Sequence, residues 1–350
     1  MTTKTGTYDI SALLKVRFQT VAEFGMDTIQ AVLEADLAAH NQIVQEMVGE
    51  FCEITTDRQR VYGTSVSGDM TEVDEYGRSP SQRMVSGATC GFPLRMFQFA
   101  LGWTDKWMKT KTPADLAQLV VHAQGAHMRA IQRQIKLAIF DDTNYTFNDF
   151  LVDKVDLAVK RFLNADSSLI PDGPNGETFD GASHTHFTAG TPLSTVLATA
   201  MINNVVEHGH GGGVRIYINT AQEAAWRALT GFVAYQDPRI IFRVTDTTAT
   251  SLDLSRLDNR AIGIYGAAEI WVKPWVPSGY AFAFASEDAQ KPLVFRQREQ
   301  TTLQGLRIAA DLATFPLYAQ FMEAEFGVAV WTRTNGAVMQ TAGGWTDPTI

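Results

Sequence analysis

Cysteine is scarce, with only Cys52 and Cys90 in 350 residues. Two thiols cannot staple a chain of this length, so a hydrophobic core must hold it, and both are expected to be reduced in a cytosolic setting. Positive charge is also short: 29 Lys and Arg stand against 38 Asp and Glu, a formal net charge of -9. Binding through many phosphate contacts needs the opposite balance, and no dense basic run or aromatic ladder supplies it locally. Specific nucleic-acid recognition is therefore not expected, although an acidic wall could enclose DNA without holding it. No run of 18 apolar residues occurs and the opening MTTKTGTYDI has no apolar signal core, so neither a spanning helix nor a membrane partner is expected. Catalytic signatures are missing too: there is no GxSxG, no HExxH and no CxxC, and neither cysteine stands beside a base in the sequence. No enzyme activity, catalytic residue or cofactor is expected.

What is present is globular. Hydrophobic residues make up 45% and charged residues 19%, enough for a large core, best read as two packed subdomains. Low charge leaves much uncharged polar surface, which repeated contacts between copies can use. Residues 1–17 read as an arm without strong structure. From about Thr20 to Phe51 apolar residues recur at helical spacing (Phe24, Ile29, Leu33, Leu37, Val44), predicting one helix with a sticky side. Residues 53–111 lose that stripe. They are rich in Thr, Ser, Gly and Arg, and predict a two-stranded excursion with turns at Gly63, Gly68 and Gly77. So long a stretch with little helix and few core-forming runs is unusual inside a compact domain, so it is mobile or lies on something outside it.

Thr112-Pro113-Ala114-Asp115 then combines a capping hydroxyl, proline at the first helical position and an acid in the first turn. It predicts a helix over 113–140. A polar loop follows at 164–190, then a helix over 192–207 ending near Gly209. Beyond lie a strand at 214–218, a helix at 220–234 and strands at 240–244, 260–264, 269–272, 281–285 and 293–296. Residues 317–330 and 332–341 close the chain as strands or a bent element. Helices early and strands late make the class α+β.

Four of the seven histidines lie close together as His184-Thr-His186 and His208-Gly-His210. Two His-x-His pairs, with a carboxylate such as Glu207 or Asp180, have the donor types of a zinc or transition-metal site. The plainer reading has these imidazoles hydrogen-bonding backbone beside a helix end, and on it no metal is expected. His40 reads as a polar surface residue. His122 and His127, five apart, point about 140° apart on a helix and cannot easily share a ligand. The run Gly209–Gly213 follows a helix and lacks the Lys-Ser/Thr of a phosphate loop, so it reads as a turn. Asp141–Asp142 reads as a polar turn, and Tyr280-Ala-Phe-Ala-Phe284 as a core strand.

The order of these parts resembles the major capsid proteins of tailed bacteriophages, the Hong Kong 97-type shell fold. GYAFAFASEDAQKPLVFR (279–296) is similar to their strand–turn–strand, and EFGVAVWTRTNGAVM (325–339), with its RTNG turn, to their closing strands. The resemblance implies an N-terminal arm and helix at 1–52, an extended E-loop at 53–105, and a peripheral domain at 106–190 carrying a spine helix. An inserted axial domain would occupy mainly 191–315, and 316–350 would return to the peripheral domain. It implies a subunit assembling with itself into pentamers and hexamers of an icosahedral shell around double-stranded DNA, made in the host cytoplasm and located in the virion. Contacts from the E-loop to a neighbouring copy are expected from Arg58, Arg60, Tyr62, Met70, Tyr76, Arg78, Arg83 and Met84. Some relatives weld their copies together through an E-loop lysine, but residues 53–105 hold no lysine, so a non-covalent shell is expected. The short arm implies that any scaffold is a separate protein; portal and decoration proteins are further implied partners. The alternatives are an encapsulin-like nanocompartment shell and a metal-dependent enzyme using the 184–210 histidines.

Overall fold

A computed structural model describes residues 10–16, 18–63, 70–81, 85–235 and 259–350. Its helices are α1 (Ile10–Leu13), α2 (Val21–Phe24), α3 (Met26–Val48), α4 (Asp105–Thr110), α5 (Pro113–Phe140), α6 (Thr195–Val206) and α7 (Glu223–Arg227). The early strands are β1 (Cys52–Thr55), β2 (Gln59–Tyr62), β3 (Ala88–Gly91), β4 (Arg95–Thr104), β5 (Tyr145–Asn148), β6 (Asp156–Val159) and β7 (Phe187–Ala189). The later ones are β8 (Val214–Ile218), β9 (Phe232–Ala234), β10 (Arg260–Tyr265), β11 (Ala268–Val272), β12 (Tyr280–Ala285) and β13 (Leu293–Gln297). Three more, β14 (Arg307–Thr314), β15 (Leu317–Val330) and β16 (Ala337–Gln340), complete the set.

The long helix α5 begins where its cap requires. Thr112 Oγ1 accepts from the Asp115 N–H, and the Asp115 carboxylate accepts from the Thr112 N–H at 3.0 Å. This reciprocal pair satisfies two donors that a helix start otherwise leaves bare, and Pro113 brings no N–H that needs a partner. The 28 residues span about 42 Å. Leu116, Val120, Ile131 and Ile135 are buried along one face, which packs on β15 and β4. The helix predicted over Thr20–Phe51 is two helices. Gly25, with φ of 99°, separates α2 from α3, a backbone state that favours glycine. Within the arm, Ile10–Leu13 form α1, which packs against α3 and α5, with Leu13 fully buried.

Two large sheets carry most of the remaining strands, and β2–β3 and β5–β6 form two-stranded pairs. In the five-stranded sheet, β15 holds β4 along one edge and, in succession, β14 and β13 along the other. β1 lies parallel beside β13. The stretch expected to be mostly excursion thus contributes two strands, β1 and β4, to the chain's own five-stranded sheet, and it buries Phe92, Leu94, Leu101 and Trp103. The chain passes into this sheet from the seven-stranded one between Ala285 and Leu293 and returns between Val330 and Ala337.

The seven-stranded sheet has the order β7-β16-β12-β8-β11-β10-β9. All six residues of β12 are buried. Alternation sends Tyr280, Phe282 and Phe284 into the larger core beside Phe51, Phe140 and Tyr217. Ala281, Ala283 and Ala285 face the other way, where their small size lets Ala198, Met201 and Val205 of α6 come close. Each buried phenylalanine contributes about 1.5–3 kcal/mol in transfer terms.

Later elements also differ from the sequence reading. The helix expected over 220–234 is a 3-10 turn at Thr220–Gln222 and the short α7, after which Phe232–Ala234 pairs as a strand with Gly263–Tyr265. β14 was not anticipated, because its side chains are largely exposed and show no buried alternation. The strand expected at 240–244 lies outside the described residues. No helix among the described residues is long and apolar enough to cross a membrane.

Candidate functional site: an assembly surface and a histidine cluster

The excursion has a tight root. β2 and β3 pair antiparallel from Gln59↔Gly91 to Tyr62↔Ala88. At their outer end a Cβ on Gly63 (φ 79°) would lie 2.3 Å from the Leu169 carbonyl oxygen, and one on Gly87 would lie 1.8 Å from that of Tyr62. Only glycine fits this waist. Tyr62 is buried, with its hydroxyl 2.7 Å from Thr334 Oγ1 and accepting the Thr334 N–H at 3.2 Å; burial pushes its pKa up to about 12. Arg60 donates to both Glu53 oxygens at 3.0 and 2.8 Å and to Asp57 at 2.7 Å, and lies over the Trp331 ring. Arg58 grips Asp153 with two bonds of 2.7 and 2.8 Å.

Arg58, Arg60 and Tyr62, expected to meet a neighbour, make these contacts within their own chain. They brace the root because carboxylates and Thr334 of the same molecule lie within reach. Beyond the root, residues 70–81 are exposed throughout. Met70 and Tyr76 are 103% and 89% exposed, with Val73 between them and Arg78 just after. A turn closes at Gly77, whose N–H donates to the Asp74 carbonyl at 3.0 Å. Arg83, Met84 and Gly68 lie outside the described residues. A second apolar tip, missed in the sequence, caps the β14–β15 ribbon, where Leu312, Phe315 and Leu317 are exposed. Its signal was Phe315-Pro316, a large apolar residue directly before a turn-forming proline.

The histidines divide. His184 and His186 arrive on the loop leading into β7, while Glu207 and His208 follow α6. The Nε2 atoms of His184, His186 and His208 lie 3.1–3.2 Å from one another. Glu207 Oε1 is 3.4 Å from His184 Nε2 and 3.8 Å from that of His208. His186 is fully buried, its Nδ1 2.7 Å from the Gly336 carbonyl oxygen, and Phe179 covers His208 with ring centroids 4.1 Å apart. Burial lowers the pKa of all three histidines, that of His208 to about 3, and raises that of Glu207.

His210 is elsewhere, bonded to Asp288 at 2.6 Å and Thr334 at 2.8 Å. Asp180 caps its own loop, accepting from the Ala182 N–H and the Ser183 hydroxyl. His40 is not a surface residue: it is buried, with Nε2 3.0 Å from Nδ1 of His127, whose pKa burial lowers to about 4. His122, turned away as the helical angle requires, is exposed. Asp141 pairs with Arg161, and both cysteines are free and buried, their thiol pKa values raised by burial.

No family model and no curated protein matches this chain. Among solved structures, a chain from Mycobacterium phage Patience is similar over 99% of this chain and 96% of its own, at 18% identity and a TM-score of 0.69. The capsid of a native GTA particle is similar over 85% of this chain and 90% of its own, at 12% identity and a TM-score of 0.48. The SrpI encapsulin from Synechococcus elongatus is similar over 99% and 100%, at 10% identity and a TM-score of 0.43. The end-to-end correspondence with the Patience chain establishes the architecture: this chain has the α+β fold of tailed-phage capsid proteins.

Proposed function

We propose that this chain is a shell-forming structural protein, a major capsid subunit that assembles with itself into pentamers and hexamers of an icosahedral particle around double-stranded DNA. On this reading 53–105 holds the E-loop, α5 is the spine helix, and the strands after α6 belong mainly to the axial domain. The observation that carries it is the excursion itself. A root locked by Arg58, Arg60, Tyr62 and two close-packed glycines carries outward a segment with Met70 and Tyr76 almost wholly in solvent. Large apolar groups held out on an anchored arm are poor choices for an idle loop and good ones for a surface covered in an assembly. The exposed tip of the β14–β15 ribbon fits the same role. With a net charge of -9 the wall would enclose nucleic acid without gripping it. A scaffolding protein, a portal and a decoration protein are the further partners this reading implies, the site of action being the virion and the place of assembly the host cytoplasm.

Deleting residues 64–86 and closing the gap with a short glycine linker tests it. The expected result is a soluble protein with a melting temperature close to that of the intact one and no particles. Particles in unchanged yield would refute the role of the excursion between copies.

A further inference from the structure

The cluster of His184, His186, His208 and Glu207 raises a problem that the protein's own atoms do not solve. Three Nε2 atoms lie 3.1–3.2 Å apart, pairwise. At any instant each nitrogen either carries a proton or presents a lone pair. With three nitrogens and two states, two must be alike, so at least one contact sets lone pair against lone pair or proton against proton. No tautomer assignment makes all three contacts hydrogen bonds. His186 is constrained further, because its Nδ1 lies 2.7 Å from the Gly336 carbonyl and must carry the proton there, which leaves Nε2 bare in the neutral ring. Beside the triangle, Glu207 Oε1 is buried without a hydrogen-bond partner.

We infer that His184, His186, His208 and Glu207 form a binding site for a divalent transition-metal ion, zinc by its donor set. A cation at the centre receives all three lone pairs and the carboxylate together. Zn–N bonds of about 2.0–2.1 Å in a tetrahedron place the ligand nitrogens about 3.3–3.4 Å apart, close to the spacing present. The His186 Nδ1–H bond to Gly336 is the outer partner that a metal-bound imidazole characteristically has, fixing ring and tautomer. Four protein ligands close the coordination sphere, the pattern of a structural site rather than one with an open position for chemistry. The ion would join the end of α6, the loop before β7 and, through Gly336, the turn leading into β16. It would work as a staple inside one molecule.

The inference does not depend on shell assembly, so its test is separate. Tag-free protein is stripped with a chelator, dialysed and titrated with zinc chloride alone, then with cobalt(II) chloride. We expect one zinc per chain, the visible absorption of tetrahedral cobalt, and a melting temperature that rises on adding zinc. His184→Ala, which removes the most exposed of the three histidine ligands, should weaken zinc binding at least about 100-fold, since even outer-shell changes cost 10–100-fold. His210→Ala, outside the cluster, should bind as the wild type does. Wild-type protein that takes up no zinc and gives no tetrahedral cobalt spectrum would overturn the site, however the variants fold. Binding that survives His184→Ala unchanged would overturn this ligand set.

Discussion

Asp149 and Arg296 form a buried ion pair whose removal should separate pairing from packing. Asp149 is fully buried and Arg296 is 4% exposed, with Arg296 Nη2 2.9 Å from Asp149 Oδ2. Arg296 Nη1 also donates to the Phe92 carbonyl at 2.7 Å. The pair therefore links β13 to the turn between β5 and β6 and to the segment that leads into β4. Asp149→Ala would leave the guanidinium buried without its counter-charge. Breaking such a pair from one side costs about 3–5 kcal/mol. With an unfolding entropy of roughly 2.1 cal/mol/K per residue, 4 kcal/mol lowers Tm by roughly 5 °C in a chain of this size. Asp149→Ala combined with Arg296→Met removes both charges and leaves an unpaired Phe92 carbonyl, worth about 1–3 kcal/mol. The double variant should therefore be more stable than the single one. Denaturant titration and thermal unfolding of unassembled protein, at matched concentration, measure all three proteins. A double variant at or below the stability of Asp149→Ala would refute the reasoning and make the loss one of packing.

Three further outcomes follow from other places in the fold. A Cβ on Gly327 would lie 1.9 Å from the Pro93 carbonyl oxygen, a backbone atom with nowhere to go, so Gly327→Ala should destabilise by about 1–3 kcal/mol or more in the same titration. Burial alone would raise the pKa of Asp166, but the Lys160 ammonium at 2.7 Å, Arg333 and the Ser168 hydroxyl outweigh it and hold the carboxyl well below the usual range. A depressed folded pKa gives stability that is fully present above the unfolded value of about 3.9 and is lost as pH falls through the folded one. Asp166→Asn should accordingly show a shallower loss of stability below pH 4 than the wild type, and an identical acid slope would contradict this. Assembled shells should run as single chains on a denaturing gel after boiling in detergent, since residues 53–105 offer no lysine for a side-chain bond; a ladder of covalent multimers would contradict that.

The sequence was most informative where local chemistry and burial agree. Thr112, Pro113 and Asp115 start α5 at the residue their capping chemistry requires, and the Tyr280–Ala285 alternation marks a strand lying between two cores. It was less informative where the deciding contact is distant. Arg58 was assigned to contacts with a neighbouring copy, and nothing near it in the chain announces Asp153, 95 positions away. His40 read as surface because nothing near it in the chain announces His127, 87 positions away. β14 was missed because an edge strand with exposed side chains carries little hydrophobic pattern. The paired histidines hinted at a cluster, but which of them converge depended on how the end of α6 meets the loop before β7. That tertiary approach brings in His208 and sends His210 to Asp288.

Sedimentation velocity of the purified full-length protein over a range of salt and pH, with electron microscopy of the heavy fractions, tests the central claim most directly. Capsomers of five and six copies or closed particles are the expected result. A monodisperse monomer under every condition would contradict it.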